Sequence, residues 1–281
     1  MDDVTATNVQ RSNAVFAANR ATGRIILSVN AASNISRPRR VHEAGSLRIR
    51  FPHSAGAGIE AAIINTAGGM TGGDRFDLDF SVGVDAALTV TTAAAEKIYR
   101  SLGPNTTTHV KIDVGPGGSL AWLPQETILF DQARFDRDID IDLACNARLL
   151  LVEACIFGRS AMGETVIAGR FFDRWRLRVD GSLRFADSVR LDGPIAQRLS
   201  GRAIAAGGAA VASIVKFPAG DEDVASVCEM QQEFVGEVGA SAWNGLAVAR
   251  CVASSGAALR QDLTRVLTAL GGAPLPRLWM N

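Results

Sequence analysis

The feature that most constrains the fold is an alternation of apolar and polar residues with a period of two, sustained from about residue 24 to residue 190. Phe76, Leu78, Phe80 and Val82 alternate with Asp77, Asp79 and Ser81. Val110, Ile112 and Val114 alternate with Lys111 and Asp113, and Ile139, Ile141 and Leu143 with Asp138, Asp140 and Asp142. Side chains two apart share one face of a strand, so each run dictates a strand with one apolar face. No amphipathic helix pattern interrupts the region. Asp180-Gly181, between RWRLRV and SLRFADSVRL, is a two-residue hairpin signal, and Gly115-Pro116-Gly117-Gly118 is another break. A longer and fainter period lies over the short one. Val82…Leu88, Val114…Leu120 and Leu143…Leu149 each set two strand-type residues six apart across a small-residue turn, and their starts lie 32 and 29 residues apart. A period near 30 in an all-β stretch suggests stacked β-coils or paired sheets rather than βαβ units; a sandwich with evenly spaced hairpins produces a similar pattern.

Beyond residue 195 the pattern changes. Asp221-Glu222-Asp223 precedes Val224, Val227, Cys228, Gln231, Phe234, Val235 and Val238, which is helical spacing with acids in the first turn, where the helix dipole favours them. NGLAVARCVA (244–253) reads as a strand. Leu259, Leu263, Val266, Leu267 and Leu270 form a second amphipathic helix, stopped by Gly271-Gly272 and Pro274. The Gly/Ala-rich residues 200–220 are a loop, an edge or a hinge. The expected fold is mainly β: a β-helix-like body of stacked strands over about 20–195, with a smaller α+β part (β-α-β-α) over about 196–281. No linker separates them, so residues 1–281 are expected to form a single domain.

Charge and cysteine content exclude several classes. Lys and Arg total 29 and Asp and Glu total 29, so the chain is neutral and has no electrostatic footprint for nucleic acid or an anionic membrane. Cys145, Cys155, Cys228 and Cys251 form no CxxC pair, and His42, His53 and His109 have no metal-binding spacing, which argues against a structural zinc site. Cys145 and Cys155 sit in apolar sequence and read as buried, reduced thiols, at home in a reducing cytoplasm. The N-terminus, MDDVTATNVQRSNAVF, is acidic at once and lacks the apolar stretch of a secretory signal. LLLVEACIF (149–157) and AIAAGGAAVASIV (203–215) fall short of the ~18 residues of a membrane span. A soluble, cytoplasmic protein is expected.

Four segments stand out. NTAGGMTGGD (65–74) has four glycines in six positions. It lacks GxxxxGK[ST] and runs into the strand FDLDFSV rather than a helix, which removes the phosphate-binding geometry. It reads as a tight turn, either purely structural or presenting Asp74. TTAAAEKIYRS (91–101) holds the single tyrosine, Tyr99, flanked by Lys97 and Arg100: a recognition surface or a solvated strand end. WLPQETILF (122–130) and LLLVEACIFGRSAMGE (149–164) place Glu126 and Glu153 inside apolar runs, where a carboxylate is costly unless paired or hydrated. Either Glu153 pairs with Arg159, or it faces a polar channel. Two such acids also allow a β-solenoid carbohydrate-active enzyme using paired carboxylates. Against it, few aromatics are present for sugar stacking, and no GxSxG occurs.

In this order, NTAGGMTGGD, TTAAAEKIYRS, WLPQETILF and FGRSAMGE (157–164), with the closing PRLWMN (276–281), resemble the UreD (UreH) family of urease accessory proteins. The resemblance runs over residues ~45–195 and the C-terminal end. It implies a mainly β, helically wound, non-catalytic protein that links apo-urease to the helical accessory protein UreF and, through UreF, to the GTPase UreG. It implies nickel in transit through an internal polar tunnel, with no tightly bound cofactor, no nucleic acid and no membrane as partner. GTP belongs to the GTPase, in keeping with the missing P-loop lysine.

A Ni²⁺ ion in transit needs weak, hydrated, replaceable oxygen ligands rather than a closed Cys/His cage. Asp74, Glu153 and Asp187 (in RFADSVRL) are the candidates on that reading, with Glu96 a further one and Arg159 in support, setting the pKa and orientation of Glu153. The C-terminal helices and the PRLWMN tail are the expected partner surface. Trp279 beside Arg277 is either an interface anchor or a buried end of the core.

Overall fold

The computed structural model describes residues 20–52, 57–159, 162–271 and 274–280. Strands β1 (Thr22–Ala32) and β2 (Ile35–Gly45) form an antiparallel hairpin, and β3 (Leu47–Arg50) and β4 (Ile59–Asn65) a second antiparallel pair. The chain then winds as a β-solenoid. One coil comprises β5 (Arg75–Val82), β6 (Ala87–Thr92) and the short β7 (Glu96–Ile98). The next repeats it with β8 (Thr106–Val114), β9 (Ser119–Leu123) and β10 (Thr127–Leu129), and the one after with β11 (Arg134–Leu143) and β12 (Arg148–Phe157). β13 (Gly169–Val179) continues the stack, and β14 (Ser182–Gly193) folds back antiparallel on it. The hairpin at Asp180-Gly181 has both residues at positive φ, 47° and 75°, as a tight two-residue turn requires.

Coil stacking explains the faint repeat. Val82, Val114, Leu143 and Val179 are successive in-register partners across β5, β8, β11 and β13. Leu88, Leu120 and Leu149 are partners across β6, β9 and β12. The two sheets face each other, and the apolar face of every alternating strand points into the space between them. Phe80, Ile112, Ile139, Ile141 and Leu120 are all essentially solvent-free there. The aspartates between the apolar positions form the outer face of the first sheet, where Asp138 meets Arg174 at 2.6 Å and Asp136 meets Arg170 at 2.7 Å.

The second sheet is extended antiparallel by β15 (Ala210–Phe217), with β16 (Glu237–Trp243) and β17 (Leu246–Ala253) beyond it. A short helix α1 (Ile195–Leu199) follows β14, helix α2 (Asp221–Glu229) follows β15, and helix α3 (Gly256–Gly271) follows β17. Leu259, Leu263, Val266, Leu267 and Leu270 of α3 pack on the back of this sheet, against Val152 and Ala154 of β12, Ile214 of β15 and Cys251 of β17. Strand β12 is therefore covered on both faces and reads as a continuous apolar run, LLLVEACIF, rather than an alternating one. The fit is tight at the start of α3, where a Cβ on Gly256 would lie 2.5 Å from Ile156.

Three expectations are corrected. The helix begun at Asp221 ends at Glu229, and Val238 belongs to β16. The buried Asp262 of α3 captures the N–H groups of Val235 and Gly236, both at 2.8 Å, and so diverts this backbone from helix to strand. Residues 210–217 of the Gly/Ala-rich stretch are a strand paired on both sides, to β12 and β17, rather than a loop, an edge or a hinge. Cys145 is exposed: it lies in the turn between β11 and β12, with its N–H donated to Asp180 Oδ1 at 3.1 Å, whereas Cys155 and Cys251 are the buried thiols. Among the described residues, no helix is long and apolar enough to cross a membrane.

Candidate functional site

The four unusual segments occupy the same corner of successive coils. Met70 bridges Ile98 in parallel, Ile98 pairs with Leu129, and Leu129 pairs with Phe157. These four buried side chains, one from each segment, form a ladder along the corner. The glycines of 65–74 allow close approach. A Cβ on Gly72 would stand 2.0 Å from Ser101 Oγ, and one on Gly69 would stand 2.4 Å from Tyr99 Cε2. Met70 N donates to Lys97 O and Tyr99 N to Met70 O, each at 2.7 Å, and the Tyr99 hydroxyl donates to Gly68 O at 3.1 Å. The loop is thus the docking partner of segment 91–101.

Asp74 is buried at the end of this loop and accepts the N–H of Ala21 and of Thr71, both at 2.8 Å. Glu96 is half-buried nearby and accepts from Asn65 Nδ2 at 3.0 Å and from Lys97 N at 3.2 Å. Burial pushes the Glu96 carboxyl up to about 7; the Asn65 and Lys97 contacts oppose the shift, and the negative charge of Asp74 adds to it. Asp74 and Glu96 are therefore brought together.

Glu153 lies elsewhere, in the space between the sheets. Trp122 Nε1 donates to its Oε1 at 2.8 Å, and Arg137 makes a short contact to its Oε2. Arg137 also holds Asp173, through Nε at 3.0 Å and a second nitrogen at 2.6 Å, while Trp175 Nε1 donates to Asp173 at 2.9 Å. All three charged residues are buried. Desolvation pushes the Glu153 carboxyl up to about 7; Arg137 pulls it down, and Asp173 pushes it up again. One guanidinium between two carboxylates leaves one excess negative charge in an apolar interior, and a proton on Glu153 removes it. Burial works against the charge on Arg137, but Asp173 and Glu153 hold its pKa above the ordinary value.

Arg159 is not the partner of Glu153. It pairs with Glu164, and its guanidinium lies 4.2 Å from the Phe130 ring centroid, at the surface. Asp187 takes a core-side position on β14 between Phe185 and Leu191, remains half-exposed, and pairs with Arg250 of β17 at 2.8 Å. It is the register partner of Trp175 and so stands at the rim of the layer that holds Asp173. Glu126 is buried and paired with Arg260 of α3 at 3.0 Å. That arginine lies 4.4 Å from the ring centroid of Trp279, whose Nε1 donates to Leu123 O at 2.8 Å. Trp279 thus seals the tail onto WLPQETILF and is core rather than an exposed anchor. Among the described residues, no group of three or more His, Cys, Asp or Glu is placed to hold a metal ion.

Arg137 and Asp173 are the site residues that the acid search missed. Their signal is in the alternation: in FDRDIDIDL and FFDRWRLRV both occupy slots otherwise taken by Phe135, Ile139, Phe171 and Trp175. They are also direct register partners.

Fold and site together define a β-solenoid scaffold whose distinctive segments meet along one corner and whose interior carries a single-arginine, two-carboxylate cluster. The family model described as "UreD urease accessory protein" matches residues 21–280. The chain is 54% identical over 269 residues to the urease accessory protein UreD of Rhodopseudomonas palustris (strain HaA2), covering 96% of each chain. It is 48% identical over 270 residues to that of Bradyrhizobium diazoefficiens, covering 96% of this chain and 98% of the relative. The chain belongs to the UreD family of urease accessory proteins, which serve urease maturation and are not enzymes. The paired-carboxylate hydrolase alternative falls with that membership.

Proposed function

We propose that this chain is the non-catalytic scaffold that joins apo-urease to UreF and, through UreF, to the GTPase UreG, so that nickel reaches the urease active site. The observation that carries this reading is the corner ladder. Segments far apart in sequence converge there on consecutive coils, a rigid arrangement suited to holding partners in a fixed relation. The scaffold acts as one domain over residues 1–281 and works in the cytoplasm.

Nickel is cargo rather than a resident cofactor. Its path uses acids at two places: Asp74 and Glu96 beneath the Gly-rich loop, and Asp187 at the rim with Asp173 and Glu153 inside. Carboxylates that are half-hydrated, or that share one arginine, hold a divalent ion weakly and exchange it. Arg137, rather than Arg159, tunes Glu153 on this path. Deleting the chain in cells that make urease and assaying metal in the purified urease tests the scaffold: metal-free urease is expected, and fully loaded urease refutes it. Single Asp74→Ala, Glu96→Ala, Glu153→Ala and Asp187→Ala replacements test the path. Full urease activation by all four, with the complex still assembled, removes the nickel role and leaves the scaffold.

A further inference from the structure

Opposite ends of the strand stack carry opposite charge. Strand β2 ends the first sheet on one side, and β16 ends the second sheet on the other. Residues 35–50, which hold β2 and β3, carry five arginines against one acid, Glu43. Arg50 holds Glu43 at 3.1 Å. Arg37, Arg39 and Arg40 stand exposed on β2 and Arg48 half-buried on β3, and none of the four has an ion pair among the described residues. The acids of the neighbouring strand β5 are engaged: Arg24 takes Asp79 at 3.5 Å, and Arg75 takes Asp77 at 2.9 Å. Asp85, in the turn between β5 and β6, and Glu60, half-buried on β4, are single acids against this group.

Residues 221–237 reverse the sign, with six acids and no lysine or arginine. They form α2 and lead into β16. Lys216 holds Asp223 at 2.6 Å, and Arg265 holds Glu233 at 3.5 Å. Asp221, Glu222, Glu229 and Glu237 are exposed and have no ion pair among the described residues. Of the cations beside them, Arg250 on β17 is taken by Asp187 at 2.8 Å, and Arg184 and Arg190 belong to β14, the edge of the other sheet. Both surfaces also carry exposed apolar side chains: Ile35 and Val41 on β2, Val235 and Trp243 at β16. Charged residues and a proline on a sheet edge oppose strand pairing, and Pro38 lies inside β2. A device that only kept copies apart would give both ends the same sign. Opposite signs attract instead.

We infer that the β2 edge of one molecule docks on the α2–β16 end of a second copy of this chain, through side chains rather than strand pairing. Charge complementarity selects the occupant: four arginines without ion pairs at one end match four acids without ion pairs at the other, each set beside two exposed apolar anchors. The contact is heterologous, because it joins two different surfaces and leaves each copy one further surface to offer. In a chain of zero net charge no overall repulsion opposes it. The attraction acts between exposed groups, so salt weakens it. The inference goes beyond the scaffold reading and does not depend on it.

The test is analytical ultracentrifugation of the purified full chain over a concentration series at low and high salt. The basic-end variant is Arg39→Glu with Arg40→Glu, and the acidic-end variant is Glu222→Lys with Glu229→Lys, all at exposed positions. The wild-type chain is expected to self-associate at low salt and to dissociate at high salt. Each variant alone is expected to associate about 10-fold more weakly or worse, with an unchanged melting temperature. An equimolar mixture of the two variants is expected to regain association and to stop at a dimer of one of each, because only the acidic end of the first and the basic end of the second still match. A wild-type chain that is monomeric at low salt, or whose association ignores salt, overturns the inference. So does association that survives in either variant, or a mixture no more associated than its components. Each of these results leaves the scaffold reading standing, since that reading is tested by the metal content of urease.

Discussion

Replacing Glu153 by glutamine should remove a pH dependence of stability that the interior cluster builds in. The Glu153 carboxyl stands at about 7 in the folded chain, against an ordinary value of 4.5. Between those values the folded chain holds a proton that the unfolded chain has released, so native stability is greatest at low pH and falls as pH rises through the window. The shift corresponds to about 3 kcal/mol of stability lost between about pH 4.5 and pH 8. Glutamine mimics the protonated acid. It keeps an acceptor and a donor among Trp122 and Arg137 but does not titrate, so any fixed cost it carries is constant with pH. Urea unfolding followed by tryptophan fluorescence at half-unit pH steps gives the stability of both proteins, and their difference cancels other groups, Glu96 included. The expected result is a wild type that loses about 3 kcal/mol relative to Glu153→Gln from pH 4.5 to pH 8. Parallel profiles, or a wild type that gains stability with pH, would falsify the picture of two carboxylates competing for one arginine.

The remaining predictions concern packing at the corner and the tail. Gly72→Ala sets a methyl group against Ser101 and the carbonyl of Pro104, and should lower stability by about 1–3 kcal/mol in urea titrations; a neutral effect would mean that the 97–104 segment yields freely. Trp279→Ala empties the seal over Leu123 and Arg260 and should cost about 3–5 kcal/mol, read as a lower melting temperature. A change within 0.5 kcal/mol would show the tail to be undocked. Asp262→Ala strands the N–H groups of Val235 and Gly236 and should cost about 1–3 kcal/mol, with faster amide exchange at both positions; protection unchanged there would sink the capture argument.

The solenoid was legible because its two periods are local and arithmetic. An inward side chain every second residue and a coil every ~30 residues both survive in the letters, and stacking aligns Val82, Val114 and Leu143 as the spacing requires. The same count carried unused information about the interior: Arg137 and Asp173 are charges in inward slots, 36 residues apart, about one coil with a longer connection between β12 and β13. Their pairing was hidden because it depends on which slots face each other across the stack, a long-range property. Arg159, six residues from Glu153 and outside the strand, was the nearest cation on its C-terminal side but lies beyond the reach of an interior carboxylate. The C-terminal part misled for a related reason. Helical spacing from Val224 to Val238 is genuine, yet Gly236 approaches the carbonyl of Val252 so closely that a Cβ would sit 2.3 Å away, and the buried Asp262 claims the adjacent N–H groups. Tertiary hydrogen bonds to a carboxylate withdrawn from water outweigh a helix propensity worth a few tenths of a kcal/mol per residue. Where interior polar groups choose their partners, the fold is set by which coil lies against which, and an acid's role follows from the cation that stacking brings to it.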